Sequence, residues 1–164
     1  MGKIFKANKF DRIKMLENAV TQHKSLFVND YELNSLDTSY SFNTLKYFRD
    51  IYPQDKLCLI IGEDNFMSFT NWYKYQEIME IVNIIVLSRD NTKRCDTMIN
   101  IKVLFEENIN LFNKSMCGKI HFSRKYKSII SSTIIRNRVS RDESIMNYVS
   151  KENSKYIFDK GLYK

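Results

Sequence analysis

The chain has 164 residues, of which 43% are hydrophobic and 13% aromatic, and its formal net charge is +7. This composition excludes a disordered chain, and the length predicts a single domain over residues 1–164. No stretch approaches the roughly 20 apolar residues of a membrane-spanning helix, and no apolar signal sequence is evident, so a cytoplasmic protein without membrane contact is expected. The odd number of cysteines, without a Cys-x-x-Cys pair, argues against a zinc site or disulfide framework.

The basic charge is compatible with phosphate-bearing partners, either nucleic acid or small nucleotides. The positive residues are scattered among acids, however, which is more typical of a solvated surface. Charge alone therefore leaves the function open. Because no recognised nucleic-acid-binding module is present, no nucleic-acid partner is expected.

In the first third of the chain, a helical repeat of apolar residues predicts a helix over residues 9–20. Residues 26–28 form a candidate short strand. A second helix is predicted from Ser41, as its N-cap, to Ile51, just before a proline that ends it.

Strands alternate with helices in the remainder of the chain. Continuous apolar runs at Leu57–Ile61 and Asn83–Leu87 are typical of parallel strands buried on both faces. Helical patterns cover residues 64–82 (with a break at 70–71), 101–112, 131–139 and 144–160, and a further strand is predicted over 119–123. This alternation predicts an α/β fold, a parallel sheet with helices on both faces.

The first candidate site follows the first apolar run, at Gly62 and Asp64. A glycine lets a ligand approach the backbone, a carboxylate can bind ribose hydroxyls, and ligands of open α/β sheets sit at the carboxyl ends of strands. The alternative is a plain strand-to-helix turn with Asp64 or Asn65 as the N-cap, and the pattern alone favours that alternative.

The second candidate is the segment Asn71-Trp72-Tyr73-Lys74-Tyr75, which holds the only tryptophan of the chain. Its place at a helix break indicates an exposed ring that can stack on a planar heterocycle. The alternative, favoured for this pattern alone, is that both aromatic rings pack into the core.

The third candidate runs from Ser131 to Arg136. Hydroxyls and free backbone N–H groups at a helix start form an anion site, and an arginine lies one turn further on. A well-capped helix with a surface arginine explains the same pattern about equally well.

Taken together and in this order, the three segments resemble the bacterial nicotinate-nucleotide adenylyltransferase family. Ile60–Asn65 is similar to its Ile-Ile-Gly-x-Asp-Asn segment. Phe69–Ile78 is similar to its Phe-x-x-Trp-x-x-x-x-Glu-Ile segment, and Ile130–Arg136 to Ile-Ser-Ser-Thr-x-Ile-Arg. The resemblance spans nearly the whole chain apart from about 90–117, and it implies a Rossmann-like nucleotidyltransferase fold.

The resemblance implies transfer of AMP from ATP to nicotinate mononucleotide, with release of pyrophosphate and formation of deamido-NAD, the precursor of NAD. Trp72 would stack on the nicotinate ring, with the Tyr73 backbone nearby. Ser41 would help to position the nicotinate carboxylate. ATP and nicotinate mononucleotide are thus the expected partners, and self-association into a homo-oligomer is left open.

The same resemblance assigns a second set of residues to ATP. Gly62 and Asp64 would line the site near the adenosine ribose. Ser132, Thr133 and Arg136 would hold the ATP phosphates, with Mg²⁺ shared by the triphosphate.

One departure concerns the chemistry itself. Family members begin with Gly-Gly-x-Phe-Asp-Pro-x-His-x-Gly-His, whose histidines contact the ATP phosphates. Neither His23 nor His121 lies in such a sequence, so no catalytic residue is assigned and the first βαβ segment of the fold is expected to be absent. Loss of one preorganised donor can lower a rate on the order of 10²–10³, so this polypeptide alone is expected to be nearly inactive. The alternatives are a non-catalytic nucleotide-binding protein and a nucleotidyltransferase with another phosphate acceptor.

Overall fold

Two apolar runs and a third, more polar segment form a three-stranded parallel sheet in the order β1-β2-β3. The strands are β1 (Cys58–Gly62), β2 (Asn83–Leu87) and β3 (Ile120–Ser123). Gly62 pairs with Leu87 and Leu87 with Ser123, so all three carboxyl ends lie at one edge. The structure is a computed structural model, and it describes residues 7–34, 39–87, 105–123 and 130–164.

The two apolar strands differ in burial. In β2, the central strand, Ile84 and Val86 are fully buried on one face. Ile85 on the other face is only half-buried, so the prediction of two buried faces is partly right for this strand. In β1, Ile60 is 60% exposed and Cys58 is also exposed, so the prediction of two buried faces is wrong for this strand. A continuous apolar run does not reveal how many neighbours a strand acquires, and among the described residues β1 pairs with β2 alone.

The described residues fall into two compact units. The sheet unit lies within Leu36–Ile129, and the helical unit combines residues of Met1–Ser35 and Ile130–Lys164. The prediction of one domain over the whole chain stays a prediction. None of the helices described is long and apolar enough to cross a membrane.

The helices of the sheet unit follow the predicted pattern closely. The predicted helix over 64–82 is confirmed at its two ends, but its break is longer than predicted: one helix ends at Phe66, a short 3-10 turn follows, and the next helix begins at Tyr75. Ser41 is the first helical residue and not the N-cap; the N-cap is Tyr40, whose side chain makes no cap hydrogen bond. The elements are α3 (Ser41–Ile51), α4 (Glu63–Phe66), the 3-10 turn (Phe69–Asn71), α5 (Tyr75–Ile81) and α6 (Ile109–Lys114).

The predicted helix over 101–112 is only partly right. α6 begins at Ile109, while Phe105 forms a parallel β-bridge with Ile120. The apolar spacing that suggested a longer helix therefore comes from a bridge residue followed by a short helix. Residues 101–104 lie outside the described residues.

In the helical unit, α1 (Lys9–Val20) and α8 (Lys151–Asp159) are tied by side-chain hydrogen bonds. Tyr156 Oη donates to Asp11 Oδ1 at 2.8 Å, and Asn153 Nδ2 donates to the Met15 carbonyl at 2.8 Å. The unit also contains α2 (Tyr31–Asn34) and α7 (Ser132–Val139).

Two predictions for the helical unit are wrong. Residues 26–28 form no strand, and Phe27 is 86% exposed. A short apolar run that pairs with no neighbouring strand makes no interstrand hydrogen bonds to stabilise an extended conformation. Residues 144–149 are turns and irregular chain, not helix, since α8 begins only at Lys151 behind its N-cap Ser150. Gly161 does lie past the end of α8 with φ 59, as expected for a glycine that ends a helix.

Candidate active site

The sheet unit contains a small cleft between the start of α3 and the turn that follows Phe69. Its volume is about 230 Å³. Pockets that enclose a drug-sized ligand measure roughly 300–1,000 Å³, so this cleft fits one ring of a ligand, not a whole nucleotide. It is lined by Ser39, Tyr40, Ser41, Asn71, Trp72 and Tyr73.

The Trp72 ring has two environments. Its indole lies edge-to-face on the fully buried Phe69, with ring centroids 5.5 Å apart, and it also lines the cleft. The 3-10 turn ends here, since Trp72 adopts extended backbone angles after donating its N–H to the Phe69 carbonyl at 3.0 Å. The two interpretations of Trp72, as an exposed ring and as a ring packed in the core, are therefore each partly right.

Tyr40 and Tyr73 form an aromatic pair in the wall of the cleft. Their ring centroids are 4.6 Å apart and their planes are inclined by 31°. The buried Phe42 lies edge-on to Tyr73 at 6.1 Å. Tyr40 and Tyr73 are 43% and 47% exposed, respectively. The buried Phe42 thus supports the Tyr40–Tyr73 pair on one side, while the other side of the pair is accessible.

Lys74 follows the cleft residues in a left-handed conformation, with φ 56 and ψ 40. For a residue other than glycine this conformation costs about 1–2 kcal/mol. Its ammonium lies 4.7 Å from the centroid of the Phe42 ring and 5.7 Å from that of Tyr73, and 3.0 Å from Glu77 Oε2. The hydrogen bond to Glu77 raises the pKa of Lys74, so the ammonium stays charged at neutral pH.

The N-terminus of α3 also meets the cleft. Ser41 opens the helix, and its N-cap Tyr40 provides no side-chain cap. The first N–H groups of a helix have no partner inside the helix and carry partial positive charge. This end of α3 therefore favours an anionic group in the cleft.

Gly62 and Asp64 lie at the carboxyl edge of the sheet, where β1 meets α4. Gly62 has φ −74, and a Cβ built there would meet no atom within 4 Å. Among the described residues, neither the backbone conformation nor the packing at position 62 thus requires a glycine. The space next to its Cα is open. Gly62 is the N-cap of α4, so the alternative in which Asp64 or Asn65 caps this helix is wrong; Asp64 is exposed in its first turn.

Ser132, Thr133 and Arg136 lie in the helical unit, on α7. The Ser131 hydroxyl caps this helix by accepting the Ile134 N–H at 3.2 Å, while Ser132 and Thr133 are exposed. Arg136 Nη2 donates to Thr133 Oγ1 at 3.3 Å. The capped-helix interpretation is therefore right for Ser131, and the exposed hydroxyls beside the guanidinium leave the anion-binding interpretation in place.

The structure therefore brings together one of the three predicted groups. Ser41, Trp72 and Tyr73 line a single cleft, as expected for residues that share a ligand. Gly62 and Asp64 lie in the same unit as this cleft but do not line it. Ser132, Thr133 and Arg136 belong to the helical unit.

Three of the residues that line the cleft, Ser39, Tyr40 and Asn71, had no predicted role in binding, although Asn71 opens the second candidate segment. Tyr40 directly precedes Ser41, and an aromatic residue beside a predicted ligand-binding hydroxyl is a signal that was available. The contact that gives Tyr40 its place is with Tyr73, 33 positions later, and no local pattern predicts it.

Comparison with known proteins gives consistent results. The family model described as cytidylyltransferase-like matches residues 6–138. A protein of Caldicellulosiruptor bescii named probable nicotinate-nucleotide adenylyltransferase is 31% identical over 161 residues, which cover 96% of this chain and 75% of that protein. A protein of the same name from Cytophaga hutchinsonii is 31% identical over 156 residues, covering 95% of this chain and 72% of that protein.

Solved structures agree on the fold. The Plasmodium falciparum nicotinic acid mononucleotide adenylyltransferase, complexed with APC, superposes with a TM-score of 0.67 at 16% identity, covering 96% of this chain and 76% of that one. A nicotinate-nucleotide adenylyltransferase structure from Vibrio parahaemolyticus gives a TM-score of 0.63 at 20% identity, covering 95% and 71%. The predicted Rossmann-like nucleotidyltransferase fold is thereby confirmed.

Proposed function

The chain belongs to the nicotinate-nucleotide adenylyltransferase family, and we propose that it transfers the adenylyl group of ATP to nicotinate mononucleotide. In this reaction a phosphate oxygen of the mononucleotide attacks the α-phosphorus of ATP, the bond to the β-phosphate breaks, and pyrophosphate leaves. The product is deamido-NAD. The observation that carries the proposal is the cleft formed by Ser41, Trp72 and Tyr73.

The cleft suits the nicotinate half of the acceptor. A pyridine ring has the size that about 230 Å³ admits, and the Trp72 indole, held edge-on by Phe69, offers a preset surface for stacking. The carboxylate on that ring would lie at the N-terminus of α3, beside the Ser41 hydroxyl, where partial positive charge favours it. The ribose and phosphate of the mononucleotide would extend out of the cleft.

Two other features suit ATP. The open space beyond Gly62 gives a sugar access to the carboxyl edge of the sheet, where the Asp64 carboxylate can accept hydrogen bonds from ribose hydroxyls. The exposed start of α7, with Ser132, Thr133 and Arg136, offers N–H, hydroxyl and guanidinium donors to phosphate oxygens.

The magnesium ion is proposed to arrive with ATP. Within the part of the chain that the structure describes, no three His, Cys, Asp or Glu side chains cluster as a metal site. Mg²⁺ commonly binds nucleotides through the phosphates and few carboxylates. When bound, the ion neutralises charge on the phosphates, and the residues named above hold and orient the two substrates. A cytoplasmic location and self-association stay predictions.

The proposal is tested by supplying ATP, Mg²⁺ and nicotinate mononucleotide to protein at a concentration equal to the substrates, so that slow transfer is also detected. Deamido-NAD and pyrophosphate should form in equal amounts, and CTP should not replace ATP. Because residues 1–164 contain no His-x-Gly-His, we expect the rate to lie well below the about 1–10³ s⁻¹ of typical enzymes. Absence of deamido-NAD above a protein-free control would contradict the proposal.

A further inference from the structure

The six residues that line the cleft have uncharged side chains. The ammonium of Lys74 lies 5.7 Å from the ring centroid of Tyr73, one of these lining residues. Phe42, whose ring centroid lies 4.7 Å from the same ammonium, packs edge-on against Tyr73. The ammonium is therefore held against the aromatic wall of the cleft.

The backbone at Lys74 contributes to this placement. Lys74 is the only residue of the described sheet unit, other than glycine, with a positive φ. Strained residues of this kind gather at ligand-binding sites, where the surrounding structure maintains them. Lys74 is this strained residue, and it lies between the cleft residue Tyr73 and the first residue of α5. Its backbone conformation therefore sets the direction in which the lysine side chain extends.

We infer that Lys74 is a specificity-determining residue, which favours an acceptor ring bearing a carboxylate over the same ring bearing a neutral carboxamide. The inference rests on the proposed function, since it presumes that a pyridine nucleotide occupies the cleft. An ammonium beside the cleft attracts a carboxylate by charge and has no comparable interaction with an amide. The Trp72 ring stacks on either pyridine ring, whereas the Lys74 ammonium adds a full charge to the partial positive charge with which the N-terminus of α3 favours the carboxylate.

Glu77 limits this effect. Its carboxylate pairs with the Lys74 ammonium at 3.0 Å, which orients the lysine and offsets part of its charge. Removing the carboxylate should therefore increase the preference for an anionic ring, and removing the ammonium should decrease it. A purely structural role for Lys74, through its contacts with Phe42 and Tyr73, would instead change the binding of both rings together.

The test measures dissociation constants for nicotinate mononucleotide and nicotinamide mononucleotide by isothermal titration calorimetry. In Lys74→Met the nicotinate affinity should fall by roughly 2- to 5-fold, the factor that corresponds to solvent-exposed charge pairs, while the nicotinamide affinity stays unchanged. Lys74→Arg should restore the preference, Glu77→Gln should increase it, and high salt should weaken it in the wild type.

Lys14→Met is the matched control. Lys14 pairs with Glu17 at the same i,i+3 spacing on α1 of the helical unit, so this variant loses the same charge from a residue that does not line the cleft. It should bind both nucleotides as the wild type does. Equal losses for both nucleotides in Lys74→Met, or no loss for either, would overturn the inference while leaving the proposed function intact. A wild type that binds neither nucleotide would overturn both.

Discussion

The sheet unit and the helical unit hold their candidate residues by different means. In the sheet unit, the rings of the cleft rest on buried aromatic residues, Trp72 on Phe69 and Tyr73 on Phe42. In the helical unit, Arg136 lies on a helix positioned by a cap hydrogen bond and contacts an exposed hydroxyl. The acceptor cleft should therefore lose its shape when the core is damaged, whereas the proposed phosphate-binding residues can be altered with little effect on stability.

The buried core of the sheet unit is also the larger one. Among the residues that the structure describes, ten buried hydrophobic residues form one cluster there, compared with three in the helical unit. The members of the smaller cluster are Val139, Ile145 and Ile157.

The largest expected effect comes from Phe69→Ala. Phe69 is fully buried and contacts the rings of Phe66, Trp72 and Tyr75. The free energy of unfolding, measured by urea titration, should fall by about 3–5 kcal/mol, because a large cavity opens in the core. Phe27→Ala in the helical unit, where the ring is 86% exposed, should change it by at most about 0.5 kcal/mol. Similar losses in the two variants would remove the distinction between the units.

The next effect is expected from Arg49→Met. The Arg49 guanidinium donates hydrogen bonds to four backbone carbonyls, those of Tyr52, Pro53, Asp55 and Ile81, at 2.6–3.3 Å. It thereby joins the end of α3 to the end of α5. Because the carbonyls would lose a charged donor, thermal or urea unfolding should show a loss of about 2–3 kcal/mol.

The matched control for Arg49 is Arg141→Met, which removes an exposed arginine from the helical unit. This variant should be nearly neutral, within about 0.5 kcal/mol. If Arg49→Met were equally neutral, the clamp between α3 and α5 would contribute nothing to the sheet unit.

Two glycines allow stability and binding to be separated. Gly161→Ala places a side chain at φ 59 in the helical unit and should cost about 1–2 kcal/mol without affecting ATP binding. Gly62→Ala adds a methyl group in open space and should leave stability within about 1 kcal/mol of the wild type. It should nevertheless weaken ATP binding by about tenfold if the sugar lies against Gly62. Unchanged ATP affinity in Gly62→Ala, measured by calorimetry, would remove Gly62 from the site.

The smallest effect concerns alkaline pH and the helical unit. The hydrogen bond to Asp11 raises the pKa of Tyr156 above its ordinary 10.0. The unfolded chain therefore loses this proton first, so the stabilisation is complete below about pH 10 and is lost as pH rises through the folded-state pKa. Tyr156→Phe should have a lower Tm than the wild type at pH 8 and a shallower decline of Tm above pH 10. Parallel declines in the two proteins would exclude this contribution.

Sequence patterns located most elements because local physics decides them. The spacing of apolar residues predicts α1, a proline shortly after Ile51 ends α3, and a β-branched run predicts β2. Each of these signals acts within a few residues. The burial of β1 could not be predicted in the same way, because Ile60 becomes exposed through its position at the edge of the sheet.

The candidate site shows the same limit. Trp72, Tyr73 and Ser41 could be selected from their chemistry and from the family resemblance, and the structure places them around one cleft. For Tyr40 the sequence offers only its position beside Ser41, because its place in the wall depends on stacking against Tyr73. The placement of Lys74 depends on a left-handed backbone that no sequence pattern predicts.

The most direct test of the account is titration of the intrinsic fluorescence of Trp72, the only tryptophan, with nicotinate mononucleotide. Stacking of the nicotinate ring on the indole should quench the fluorescence along a saturable curve, and free tryptophan amide should show only the linear loss of collisional quenching. A linear response in the protein, equal to that of the free amide, would contradict the proposal that this cleft binds the acceptor.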